Sequence, residues 1–175
     1  VSQIADRKAL LQNTFLKPFQ PVPDMAVCYR AWATNSGARF HYVSASPWQL
    51  YPALGEFVRT NGFPGGTFHL KTFRWKDQSF FNLFQSPEAY KPGVIKPMLE
   101  RLPKRKFVLV GDSGEKDPEI YGALARQYPQ QVLRIFIRDT TGEAADSPRY
   151  ARAFEGLPRL KWQIFHDAVE LPRFP

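Results

Sequence analysis

The run Lys106-Phe107-Val108-Leu109-Val110 constrains the fold most, because its apolar stretch has no polar alternation and leads directly into Gly111-Asp112. An uninterrupted apolar run must be covered on both faces, which is the situation of a strand inside a parallel sheet. Residues 131–137 read as the next buried strand, ending at Arg138-Asp139. Helical spacing over 90–101 and 118–128 places a helix before the first run and another between the two. Upstream, Leu10, Leu11 and Phe15 predict a helix over 6–15, closed by the prolines of 17–23. A further helix is expected from 23 to about 35, with Pro23 in its first turn and Gly37 past its end. The aromatic stretch 38–43 reads as a strand stopping at Ser44-Ala45-Ser46-Pro47, 48–60 as a helix closed by Asn61-Gly62, and 66–71 as a strand. Strands alternating with helices predict an α/β chain with a doubly wound, mostly parallel sheet.

A chain of 175 residues with 43% hydrophobic content fits one core, so residues 1–175 are expected to be one domain. No apolar run is long enough to span a bilayer, and no apolar segment precedes a cleavage site near Val1, which leaves a cytoplasmic protein as the expectation. The single cysteine, Cys28, excludes an intrachain disulfide and sits in an apolar pattern as a small core residue. A net charge of +8 favours anionic partners without choosing among phosphorylated metabolites, acidic lipid surfaces and nucleic acid. The sixteen prolines punctuate the chain without making any stretch repetitive.

Ligands of doubly wound sheets bind beyond the carboxyl ends of the strands, which directs attention to the residues following the apolar runs. Asp112 and Asp117 fall in the loop after the strongest strand and suit a hard cation such as Mg2+. Asp117, directly before Pro118, fits a helix cap as well. Ser44 follows the earlier strand, where its hydroxyl can hold a phosphate oxygen or simply form a turn; Ser46, before Pro47, fits a cap better. Lys91 opens the helix over 90–101, where a positive charge opposes the helix dipole unless an anion is near, and Lys71 at the end of the 66–71 strand is its rival. Gly111-Asp112-Ser113-Gly114 is not a serine-protease nucleophile, since the surrounding alternation is α/β and no Gly-x-Ser-x-Gly elbow is present. His41, His69 and His166 have no metal-ligand spacing.

In that order, Ser44, Lys91 and Gly111-Asp112-Ser113-Gly114-Glu115-Lys116-Asp117 resemble the second, third and fourth motifs of the haloacid-dehalogenase-like phosphatases. The longer strings, Phe40 to Leu50, Gly62-Phe63-Pro64, and Phe107 to Glu115 with Asp117 to Tyr121, are similar to the catalytic domain of the actin-patch-protein type of phosphatidate phosphatase, over about 6–141. Residues 142–175 then read as a C-terminal extension. The resemblance implies a three-layer Rossmann-type sandwich and Mg2+-dependent hydrolysis of phosphatidate through an aspartyl phosphate. It gives Ser44 a phosphate oxygen, Lys91 the charge on nucleophile and phosphoryl group, and Asp112 and Asp117 the metal.

The Asp-x-Asp-x-Thr motif of that family, bearing nucleophile and general acid, does not occur here, and the central first strand that carries it is expected to be missing. A domain inactive as this chain, with weak metal affinity and two open sheet edges prone to self-association, is therefore the expectation. The alternative is a non-enzymatic module that binds phosphate or anionic lipid, peripheral at membranes. Phe73-Arg74-Trp75-Lys76 prompts nucleic-acid binding, but interspersed acids argue against a continuous basic track, and the stretch fits a loop over the active-site mouth better.

Overall fold

The computed structural model describes residues 20–72 and 87–173; the helix expected over 6–15 and the Phe73-Arg74-Trp75-Lys76 stretch lie outside the described residues. Helix α1 (Met25–Ser36) starts after Asp24, whose left-handed backbone (φ 58°) breaks the helix that Pro23 was expected to open. It ends at Gly37 (φ 62°), a conformation glycine adopts without steric cost. Strand β1 (Phe40–Pro47) leads through a 3-10 turn (Trp48–Leu50) into α2 (Tyr51–Thr60) and β2 (Gly66–Lys71), and the two strands pair in parallel. After α3 (Pro87–Arg101) come β3 (Phe107–Asp112), α4 (Asp117–Gln127), β4 (Val132–Arg138), α5 (Pro148–Ala153) and β5 (Trp162–Phe165). The last three strands form a second parallel sheet in the order β3-β4-β5.

The α/β class and the parallel pairing follow the sequence pattern, but among the described residues the strands form two sheets. No ladder joins β1 to β3. Packing nevertheless ties the sheets together. Ile135 and Ile137 of β4 are fully buried against Leu99 of α3, Leu124 and Ala125 of α4, and Tyr150 of α5, and Val43 of β1 packs on this cluster. The intervening Phe136 points the other way, into Met25 and Trp32 of α1 and Phe165 of β5, where Phe40 of β1 packs with Val108 and Val110 of β3. Three consecutive residues with no exposure explain why Ile135-Phe136-Ile137 is unbroken by polar residues: each face of the strand has its own helix layer. Full burial of one such side chain contributes about 1.5–3 kcal/mol.

Several boundaries differ from the sequence expectation. Strand β1 continues through Pro47, so Ser44 lies within the strand, opposite Leu70, and the register slips only between Ser44 and Pro47. Strand β3 includes Gly111 and Asp112, and α3 begins at Pro87, which puts Lys91 in its second turn. Residues 142–173 supply α5, β5 and the buried Tyr150, Phe154, Phe165 and Leu171. A hydrogen bond of 2.7 Å from Trp32 Nε1 to the carbonyl of Pro172 fastens this end of the chain to α1.

Candidate active site

Lys91, Ile95 and Leu99 recur every four residues on α3, so the face that buries the two apolar side chains also buries the lysine, which is 7% exposed. An ammonium group held away from water needs an anion. Asp117, the first residue of α4 and 1% exposed, supplies it: Lys91 Nζ donates to Asp117 Oδ1, and Glu115 Oε2 lies 2.7 Å from the same nitrogen. The other oxygen of Asp117 accepts the backbone N–H of Asp112 at 3.1 Å. Asp117 therefore does not cap α4; Lys116 holds the cap position and makes no side-chain cap bond. Gly111 makes the close approach feasible, since a Cβ there would lie 2.1 Å from Asp117 Oδ2.

Burial by itself pushes Lys91 down and Asp117 up, toward a neutral pair. For Lys91, the contacts with Asp117 and Glu115 outweigh burial and hold the ammonium above the usual lysine range, so it is charged at neutral pH. For Asp117, burial dominates and leaves the carboxyl above the ordinary range, although Lys91 and the Asp112 N–H work against it.

Asp112 ends β3, with its Oδ1 accepting the N–H of Gly114 at 2.8 Å. Magnesium takes one or two carboxylates, and water and substrate oxygens complete the shell. Asp112 meets that requirement, whereas Asp117 is committed to Lys91 and to the Asp112 backbone. Among the described residues no group of three or more His, Cys, Asp or Glu side chains is arranged around a common point. A cation at Asp112 would therefore take most of its ligands from water and substrate.

Two braces hold the loop between Asp112 and Asp117. Ser113, 1% exposed, donates its hydroxyl to Asp139 Oδ1 at 3.0 Å and accepts the N–H of Thr140 at 2.8 Å. Asp139 also accepts the N–H groups of Thr141 and Gly142, both at 3.0 Å. Burial opposes its ionisation, but these donors prevail and keep the carboxyl below the usual range. On the other side, Arg149 of α5 binds the carbonyls of Ser113 and Glu115. Asp139, Glu115 and Arg149 had no role in the sequence reading; the signal for Asp139 was its place after a buried strand, like that of Asp112.

Ser44 bonds to Ser46 rather than to this cluster. Its hydroxyl donates to Ser46 Oγ at 2.9 Å and accepts the Ser46 N–H at 3.1 Å, so it shapes the end of β1, and Ser46 caps no helix. Lys71 ends β2 in the same sheet, whereas Lys91 is the lysine that meets Asp117. His41 and His69 face each other across β1 and β2, with Nδ1 and Nε2 3.3 Å apart, and His166 lies 3.6 Å from Asp139. Cys28 is half-buried, and burial pushes its thiol up, away from reactivity.

A family model described as the catalytic domain of phosphatidate phosphatase APP1 matches residues 1–139. Phosphatidate phosphatase APP1 of Saccharomyces cerevisiae is 33% identical over 147 residues, which cover 83% of this chain and 24% of that protein. An uncharacterized protein of Schizosaccharomyces pombe is 34% identical over 135 residues, 75% of this chain and 22% of its own length. The chain thus spans about a quarter of the length of these relatives. No solved structure gives a significant match.

Proposed function

The chain belongs to the family of the phosphatidate phosphatase APP1 catalytic domain, and on that premise we propose that it forms the charge-neutralising part of a Mg2+-dependent phosphomonoesterase acting on phosphatidate. The observation that carries this reading is the buried chain of contacts from Lys91 through Asp117 to the backbone of Asp112, at the carboxyl end of β3. Phosphoryl transfer needs positive charge and fixed geometry around the phosphate more than covalent chemistry from the protein. Lys91 supplies a cation that cannot swing away, because Asp117 and Glu115 fix its Nζ. Asp112 would hold Mg2+ at the strand end, with Asp117 orienting both lysine and strand, and the Ser44 hydroxyl would exchange its bond to Ser46 for one to a phosphate oxygen. When bound, the metal withdraws charge from the phosphate.

The two parallel sheets support a haloacid-dehalogenase-like arrangement: β1 and β3 share both cores through Val43 and Phe40 yet do not pair. A parallel strand between them would complete one doubly wound sheet. No Asp-x-Asp-x-Thr motif occurs in the 175 residues. No helix among the described residues is long and apolar enough to cross a membrane. With a charge of +8, the protein meets an anionic lipid surface from the cytoplasm.

The test is phosphate release from phosphatidate and from a soluble aryl phosphate by the full-length protein, with and without Mg2+. Turnover should require the metal and fall by at least about a hundredfold in Asp112→Asn and Lys91→Met. The 175-residue polypeptide alone should show none and should self-associate through its open edges. Binding of phosphatidate vesicles without turnover by the full-length protein would instead leave a non-enzymatic lipid module.

A further inference from the structure

A carboxylate that is to hold a cation keeps its aim only if the peptide groups around it are fixed. For Asp112 that peptide joins Ser113 to Gly114. Its N–H donates to Asp112 Oδ1 at 2.8 Å, while its C=O accepts from Arg149 Nη1 at 2.7 Å. The same guanidinium holds the other arm of the site. Arg149 Nη2 binds the carbonyl of Glu115 at 2.6 Å, and the Glu115 carboxylate lies 2.7 Å from Lys91 Nζ. Glu119 aims the fork from behind, with Oε1 2.8 Å from Nε and Oε2 3.2 Å from Nη2. A planar guanidinium presents five donors in a fixed fork and binds two carbonyls and both oxygens of a carboxylate at once, where a lysine ammonium has three donors.

We propose that Arg149 is a positioning residue for the site, setting Asp112 through the Ser113–Gly114 peptide and Lys91 through Glu115. It lies in α5, beyond the residues 1–139 matched by the family model, so a segment outside that match governs the geometry of the loop inside it. The role at the reaction rests on the phosphatase reading above; the role in holding the loop does not.

The experiment compares wild type, Arg149→Ala and Arg149→Lys in the full-length protein, with two readouts. Amide hydrogen exchange over 111–117 reports the loop directly: the Gly114 amide should exchange faster in Arg149→Ala and by an intermediate amount in Arg149→Lys, with exchange in β4 unchanged. In turnover, kcat should fall about 10–100-fold and the Mg2+ concentration for half-activation should rise, while KM for phosphatidate stays within about twofold. Should Arg149→Ala fail to fold, Arg149→Lys carries both tests. Wild-type exchange at Gly114 together with wild-type kcat in Arg149→Lys overturns the proposal. A wild-type protein without turnover refutes the phosphatase reading alone, and the exchange comparison then decides whether Arg149 holds the loop.

Discussion

The two sheets are built from the same kind of parallel unit but differ in how much holds them. In the β3-β4-β5 sheet, Ile135, Phe136 and Ile137 are wholly buried between helix layers, and the loop leaving β3 is gripped by Lys91, Asp139 and Arg149. In the β1-β2 sheet only Leu70 is buried, and the carboxyl end of β1 is held by Ser44 and Ser46 bonding each other. The contrast teaches where precision resides: the charge-bearing residues sit on the over-determined sheet, while the other borrows its stability from cores it shares through Val43 and Phe40.

Breaking the buried pair should show the largest effect. Lys91→Met leaves the Asp117 carboxylate buried and unpaired, which costs about 3–5 kcal/mol at pH 7 by urea unfolding. The loss should shrink in acid, because burial already favours the protonated form of Asp117. The counterpart Ser44→Ala should cost about 1 kcal/mol or less. Next in size, Ile137→Ala should lose about 2–5 kcal/mol, and Val43→Ala clearly less; equal losses in the two would erase the difference between the sheets.

Asp139→Ala should cost about 1–3 kcal/mol at pH 7, because it strands the donors of Ser113, Thr141 and Gly142. The pH dependence has a definite sign. The folded pKa of Asp139 lies below the ordinary value of 3.8, so its contribution is present above that value and lost as pH falls through the folded one. Wild type and variant should therefore converge in acid, as followed by thermal melts.

The smallest expected effect reverses sign between the regions. Among the described residues the fully buried Tyr150 hydroxyl has no hydrogen-bond partner, so Tyr150→Phe should be neutral or stabilise by about 1 kcal/mol. Tyr42 in β1 donates to the Pro64 carbonyl at 2.6 Å, with burial pushing its phenol up to about 12, so Tyr42→Phe should destabilise by about 1 kcal/mol. Melting temperatures of the two variants test the reversal.

The buried strands were legible in the sequence because a strand covered on both faces cannot alternate, and 107–110 and 135–137 do not. Strand β5 was not: it is four residues long, with Gln163 in the middle, and acquires strand character only from pairing with β4. The place of Asp112 after the strongest run was equally plain. Asp117 before Pro118 read equally well as a helix cap, because nothing local to 117 reveals a lysine 26 positions earlier.

By itself, then, the sequence determined the α/β alternation, the strand that presents Asp112, and a lysine, Lys91, near the start of the helix before it. Tertiary structure decided which groups that lysine meets and what steadies them. Asp117, Glu115, Asp139 and Arg149 come together only when α3, α4, α5 and the end of β4 close over one loop. Periodicity reports which face of an element is buried, whereas the partner across the interface is fixed by packing between segments far apart in the chain.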